Sequence, residues 1–450
     1  MSIFPRILFW LNQRASQKEV NNEYEERNYR LALLNGILIR VAFRFVNSSM
    51  ILAAFVKQLT NSNIMVGLTS SAMGSGSVWP QLIMSNILEH RPRKMPFYIL
   101  GASLRVTCWF LIMLLTFFLG NKNHLTLFVL FYVLYFVSNS AMGISIIPFQ
   151  DIIAKSIPVK KRARLFSLRA LIGGGFGVLA GFLIKYILSE DFFLSFPYNY
   201  GFMFGLCAVM MTASSTSFII SKEPIQEVRK TRRPFWEHLK RGPRFLRNDP
   251  DYRNYLILRM VSSFGIMSTP FYVPYAMDRI GVEASTIGLY TSAGAMSAVV
   301  SNVLWAYVGE KYGSKYLIIV NSFLVSIVPI LATSTRFFQQ SHQAAIYALV
   351  FIIIQAAFNG RGVGYMTFTL NMAPSLSRPT YLGFLNTMLF PLSFIPVLAG
   401  ILLKFISYET MFVFSAVLSF ISVYFATRLS NVDKSDDIES KDCDQEQDVS

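Results

Sequence analysis

Residues 180–187 read AGFLIKYI, and residues 399–406 read AGILLKFI, 219 positions further on. The same offset carries NGILIR, Asn35–Arg40, onto NYLILR, Asn254–Arg259. An offset of 221 carries Glu89 and Lys94 onto Glu310 and Lys315. Three separate places agree on one spacing close to half the chain. Inside an apolar chain, a duplicated half is the pattern of a protein built from two related membrane bundles.

The apolar character is plain outside the repeats. Of 450 residues, 53% are hydrophobic and 15% are charged, where a soluble domain carries about 25% charged residues. The charges are clustered, and several apolar stretches exceed the ~18 residues that mark a spanning helix. We read twelve spans: 31–56, 63–88, 96–120, 125–149, 165–188, 198–221, 254–277, 285–308, 315–335, 343–370, 380–404 and 408–429. The fold class expected is all-α: twelve transmembrane helices in two pseudo-symmetric six-helix bundles, 31–221 and 254–429. A basic loop, 222–253, separates them. Residues 1–30 form a cytoplasmic N-terminal segment in which Ile3–Leu11 is expected either to lie in the interface or to fray, and the acidic tail 430–450 is expected to be disordered.

The net charge of +16 hides an asymmetry. The tail from Asn431 holds eight acids against Lys434 and Lys441, so the rest of the chain stands near 16 + 8 − 2 = +22. That excess sits in alternate loops. Those after spans 2, 4, 6, 8 and 10 hold Arg91, Arg93 and Lys94; Lys155, Lys160, Lys161, Arg162 and Arg164; the run from Lys222 to Arg253; Lys311 and Lys315; and Arg378. The opposite loops hold little more than Lys57, Lys122, Arg279 and Arg336. The positive-inside rule therefore places the even loops and both termini in the cytoplasm, in a multi-pass protein of the cell (inner) membrane. It accounts for the positive charge without nucleic acid. Cys108, Cys207 and Cys443 form no disulfide framework.

Twelve spans in a 6+6 split, a basic central loop and cytoplasmic termini resemble the major facilitator superfamily over about residues 30–430. The most specific local likeness is the loop Gly309-Glu-Lys-Tyr-Gly-Ser-Lys315, similar to the family's acidic–basic–x–Gly–x–basic turn. Its first-half counterpart, Glu89-His-Arg-Pro-Arg-Lys94, is a poorer copy, with proline in place of the glycine. The stretch Phe149–Arg164 resembles the family's connection between spans 4 and 5. The candidate gating residues are therefore Glu89, Lys94, Arg162, Arg164, Glu310, Lys311, Gly313 and Lys315. The two glutamates can cap a helix end or pair with a base from the next loop, and such pairs can break as the halves rock.

Gly173, Gly177 and Gly181 recur every four residues in span 5 and so share one helix face. In lipid, small residues let helices approach closely. Span 8 offers a matching small face at Gly288, Ser292, Ala295, Ala298 and Asn302, and the resemblance implies that these two spans meet. Gly360, Gly362 and Gly364 in span 10 are expected to weaken that helix and bare its backbone.

The spans hold arginines but carboxylates only at their ends: Arg40, Arg44, Arg105, Arg259 and Arg361 against Glu89, Asp151, Asp278 and Glu310. A midplane arginine costs about 2.5–3.5 kcal/mol on insertion scales, and a partner, water or an anion must offset that. The resemblance implies that spans 1, 4, 7 and 10 line a central cavity. Arg44 and Arg361 then become candidate binders of an anionic substrate group, with Asn47, Gln355 and Asn359 as polar neighbours; the alternative for both is hydrogen bonding to helix carbonyls inside each bundle. The repeat-equivalent Arg40 and Arg259 are expected to be structural at the inner mouth, and Arg105 to belong to a supporting span.

The expected function is secondary, non-ATP transport of a small anionic or amphiphilic solute by alternating access. A non-transporting sensor or lipid-handling protein of the same fold is the alternative. No phosphate-binding GxxxxGK[ST] loop and no catalytic or metal-ligand cluster occurs within the spans, so an ATPase or an enzyme is not expected. No cofactor or metal is expected. The expected partners are the bilayer and the solute, with no nucleic acid, and the chain is expected to work as a monomer. All four histidines lie in loops or at span ends, which disfavours proton coupling through a site histidine.

Overall fold

The computed structural model describes residues 4–88, 91–225, 246–247, 249–372 and 378–431. Glu89, most of the central loop and the tail beyond 431 lie outside the described residues. The described chain is helical throughout. Ten helical segments are long and apolar enough to cross a membrane. The other two spans are the first, which is divided, and the second, Asn63–Leu88, which is rich in serine and glycine.

Span 1 is the end of one long helix, Phe4–Phe45, followed by a second, Ile51–Thr60. The N-terminal segment thus runs into span 1 without a break. Spans 3 to 6 are Met95–Leu119, His124–Ser156, Val159–Ile187 and Tyr198–Ile219. Span 7 is assembled from Pro250–Gly265, Thr269–Phe271, Tyr272–Tyr275 and Ala276–Ile280. Spans 8 to 10 are Ala284–Tyr312, Ser314–Ser334 and Gln340–Met372. Span 11 comprises Arg378–Leu389, Phe390–Phe394 and Ile395–Leu402, and span 12 is Tyr408–Thr427.

Local chemistry sets many of the ends. Asn123, Asp249 and Ser407 each accept from the backbone N–H three residues on, satisfying donors that a helix start leaves free. Gly281 and Gly313 adopt φ of +73° and +85°, and so permit tight turns between spans 7 and 8 and between spans 8 and 9.

The packing obeys the repeat. In the first half span 1 packs on 6, span 3 on 6 and on 4, and span 2 on 4. Adding six gives 7 on 12, 9 on 12 and on 10, and 8 on 10, all of which are present. The halves meet through spans 5 and 8 and through spans 2 and 11, two pairs that exchange under the same operation.

This seam is tightest at the face opposite the basic loops, the far face. A Cβ on Gly288 would lie 2.2 Å from Lys185 N, one on Gly181 would lie 2.6 Å from Ser292 N, and one on Gly67 would lie 2.2 Å from the Pro396 carbonyl oxygen. None can be accommodated without moving backbone. Lys57 Nζ pairs with Asp278 Oδ2 at 2.7 Å across the halves. The Tyr408 hydroxyl lies 2.8 Å from Asn63 Oδ1 and 2.9 Å from Asp278 Oδ2, adding spans 2 and 12 to the same joint. Toward the basic face spans 5 and 8 part around a crevice of about 630 Å³, with Arg40 and Arg164 in its wall.

Candidate functional site

The two halves share one irregularity that hydropathy does not reveal. Span 1 breaks between Phe45 and Ile51, and span 7 between Gly265 and Thr269. Since 47 + 219 = 266, the breaks fall at repeat-equivalent positions. In span 1 the Asn47 side chain replaces helical bonding: its Oδ1 accepts from Ser49 N at 3.1 Å, Ser49 Oγ at 3.0 Å and Met50 N at 3.1 Å. In span 7 Pro270 has no N–H to give the Ile266 carbonyl, which instead accepts from Thr269 N at 3.1 Å. Ser415 of span 12 donates to the Gly265 carbonyl and lies 2.9 Å from Ser268 Oγ.

Between the breaks lies a cavity of about 480 Å³. Spans 1, 2, 7, 10 and 11 line it, with Asn47, Ser70, Ser263, Gln355 and Asn386 supplying polar groups. Among the described residues Arg259 is its only cation, and no Asp, Glu or His is in its lining. Asn47 and Gln355, both expected from sequence, are here. The third expected polar neighbour, Asn359, is elsewhere: it donates to the Ala298 carbonyl at 2.9 Å and borders the crevice between spans 5 and 8.

The arginines are distributed differently from the sequence reading. Arg44 lies against Gly177, where a Cβ would sit 3.0 Å from its Nε, and it is absent from the cavity lining. Arg361 stands behind the cavity, its guanidinium 5.3 Å from the centre of the Tyr365 ring. Arg259, expected to be structural, is the cavity's own cation. It stacks 4.4 Å from the same ring and donates to the Tyr255 hydroxyl at 3.2 Å. Tyr365 thus presents its π surface to two guanidinium groups. Arg259 Nε and Arg361 Nη1 are both buried without a hydrogen-bond partner among the described residues. Arg105, assigned a supporting place, borders a side cavity of about 280 Å³ that shares Asn47, Ser48 and Met73 with the central one.

The glycine stripe of span 5 also has a second neighbour. Gly181 meets span 8 at Ser292, Gly177 lies between Ala295 of span 8 and Arg44 of span 1, and Gly173 faces Arg40 of span 1. Gly36 of span 1 faces Arg169 of span 5 in return. The three rungs 36/169, 40/173 and 44/177 hold one offset of 133, so two parallel helices alternate glycine against arginine along their seam. Each glycine supplies the room that a guanidinium stem needs. The span 10 glycines do not break that helix: Gly364 meets Leu317 and Ile318 of span 9, and Gly362 meets nothing within 4 Å. Gly360 receives the Trp305 ring, whose Nε1 donates to the Ala356 carbonyl at 2.8 Å.

The expected gating residues separate by half. Lys94 pairs with Asp151 at 3.1 Å, within its own half, and Asp151 also holds Lys155 at 2.6 Å. The Glu223 carboxylate accepts from Lys94 N and Met95 N at 2.8 Å, capping span 3. Arg162 donates to the Ala154 and Ile157 carbonyls and so closes the end of span 4, and Arg164 enters the crevice. In the second half Glu310, Lys311 and Gly313 line a hollow of about 520 Å³ at the basic face. Lys311 donates to the Tyr307 hydroxyl at 2.9 Å, Glu310 is exposed without an ion pair to a described residue, and Lys315 is half-buried.

Solved structures share this architecture. A D-xylose–proton symporter superposes at TM-score 0.69 with 14% identity, covering 91% of this chain and 99% of its own. A mutant of the nucleoside transporter NupG gives 0.68 at 11% identity, covering 89% and 99%. A bacterial homologue of the iron transporter ferroportin, in an inward-facing state, gives 0.66 at 12%, covering 90% and 98%. At such identities the likeness is one of fold. Comparison with curated protein sequences finds no significant match. The Major Facilitator Superfamily family model matches residues 32–395 and 255–442, spanning both halves and the breaks that face each other. An integral, multi-pass helical membrane protein with this repeat, this seam and this match is a transporter and not an enzyme: the chain belongs to the major facilitator superfamily.

Proposed function

We propose that the chain carries a small solute bearing an anionic group, by alternating access, through the cavity at the paired breaks. The observation that carries this reading is the lining: among the described residues, one guanidinium, several amides and hydroxyls, and no acidic side chain. An interrupted helix near the midplane offers free backbone groups and polar side chains at the depth where a carried solute must be recognised. Arg259 is the direct anion ligand in this reading. Arg361, behind Tyr365, and Arg44, on the span 1–span 5 seam, raise the positive potential around it.

The basic loops support a cytoplasmic basic face. With the far face joined by Lys57 and Asp278, the structure is then the inward-open arrangement of two six-helix bundles, acting as a monomer. Without a titratable acid or histidine in the lining, the solute's own charge, exchange or simple facilitation sets the energetics.

A stability screen of the purified protein against anionic, cationic and neutral metabolites identifies ligands, and uptake of those ligands into proteoliposomes then measures transport. Anions are expected among the stabilisers. Arg259→Gln is expected to weaken their binding ten-fold or more, as loss of a charge-assisted bond of about 1.5–3 kcal/mol requires. Unchanged affinity in that variant would sink the proposal.

A further inference from the structure

Arg105 is 7% exposed, and its Nε is buried with no partner. Among the described residues it forms neither an ion pair nor a hydrogen bond. It lies 11 residues into the membrane from Lys94, about 16 Å along a helix at ~1.5 Å per residue, which is close to the centre of a ~30 Å hydrocarbon layer. A guanidinium at that depth, without a protein partner, needs an anion or water in the space it borders.

That space is the side cavity of about 280 Å³. Its walls are two-natured. Phe43, Trp109 and Tyr135 give flat apolar surface, the last two with ring centres 5.9 Å apart at 68°. Ser138 and Asn139 give polar groups in the same lining as Arg105, and no carboxylate is in it among the described residues. At ~30 Å³ for each liquid water, the cavity has the volume of roughly nine waters, and so of a ligand with about as many non-hydrogen atoms. A carboxylate on a single ring matches the size, the charge and the aromatic walls together.

We propose that this side cavity is an anion site within the first half, taking a compact monocarboxylate with a planar apolar body and Arg105 as its counter-charge. The site adjoins the central cavity, with which it shares Asn47, Ser48 and Met73, but it has its own cation. The two readings fail separately, one with Arg259 and the other with Arg105.

Calorimetric titration of the intact purified protein with benzoate and with benzamide, the same ring without the charge, tests it. Benzoate binding that benzamide does not reproduce is expected. Arg105→Gln is expected to weaken it at least ten-fold and Arg105→Lys less, while Arg259→Gln leaves it unchanged. Met142→Trp, which fills the cavity without touching the charge, is expected to abolish binding and decides the matter should Arg105→Gln fail to fold. The proposal is overturned if benzoate does not bind, if it binds Arg105→Gln or Met142→Trp as it binds the parent, or if Arg259→Gln alone removes it.

Discussion

Lys57 Nζ lies 2.7 Å from Asp278 Oδ2, joining span 1 of one half to span 7 of the other at the far face. Lys57 is 8% exposed, whereas the Asp278 side chain is 34% exposed. Removing the aspartate therefore strands a buried ammonium, while removing the lysine leaves an acid with some access to water. Losing one partner of a fully buried pair costs about 3–5 kcal/mol, and the exposure of Asp278 reduces that to roughly 1–3 kcal/mol. Asp278→Asn is expected to loosen the far face more than Lys57→Met, and the swapped pair Lys57→Asp with Asp278→Lys to restore it. Labelling of a cysteine introduced at the neighbouring Ser62 from the far side reads the outcome, and equal labelling in all variants would refute the joint.

Gly288 and Gly175 make a matched contrast. A Cβ at 288 would meet Lys185 N at 2.2 Å, whereas one at 175 meets nothing within 4 Å. Gly288→Ala must push two backbones apart, at a cost of ~2 kcal/mol or more. Gly175→Ala should be neutral or stabilising by up to ~1 kcal/mol through helix propensity. Thermal unfolding of the two purified variants should shift in opposite directions or, at the least, by clearly different amounts.

At Gly173 the obstacle is a side chain. An added Cβ would sit 2.9 Å from Arg40 Cδ, a flexible atom. Gly173→Ala should then displace the arginine at about 1 kcal/mol, and Arg40→Ala should remove that penalty. A double-mutant cycle measures the coupling, and additive effects would mean that the rung does not exist.

Asn47 both shapes the break and lines the central cavity. Asn47→Ala loses three accepted hydrogen bonds and should cost about 1–2 kcal/mol. Asn47→Asp keeps the acceptor but puts a negative charge into a cavity whose cation is Arg259. It should retain stability and lose affinity for anionic ligands. Thermal unfolding and ligand titration on the same samples separate the two effects.

Tyr365 can be dissected atom by atom. Its hydroxyl donates to Ser262 Oγ at 3.1 Å and its ring faces Arg259 and Arg361. Tyr365→Phe removes only the hydroxyl bond, at about 1 kcal/mol. Tyr365→Leu also removes the π surface between two like charges, for a further ~1–2 kcal/mol. Equal unfolding temperatures for the two variants would show that the ring contributes nothing beyond its volume.

Most of the scaffold is legible in the sequence, because burial in lipid demands long apolar runs and the repeat fixes their number. What stayed hidden depends on which neighbour a face meets. The four-residue spacing of Gly173, Gly177 and Gly181 defines a stripe, but periodicity does not say that two of the three receive arginines from span 1. The breaks were equally veiled. Asn47-Ser-Ser reads as a polar patch inside an apolar run, and Ile266-Met-Ser carries no glycine or proline of its own. The place of Arg259 in the cavity lining is hidden for the same reason: equivalence to Arg40 by repeat says nothing of a cavity that forms only where the halves face each other. One comparison could have flagged the breaks. Shifting the chain by 219 lays Ser49 on Ser268 and Met50 on Thr269, just ahead of Pro270.

The paired interruption also bears on ancestry. A single six-helix unit with one interruption presents half a chamber and no enclosure, so a lone copy would have had nothing to hold its cargo. Two copies side by side in the same membrane orientation would have enclosed a symmetric one. Fusion then freed each wall to diverge. Arg259 still has its twin in Arg40, but only the later copy now turns that charge toward the chamber.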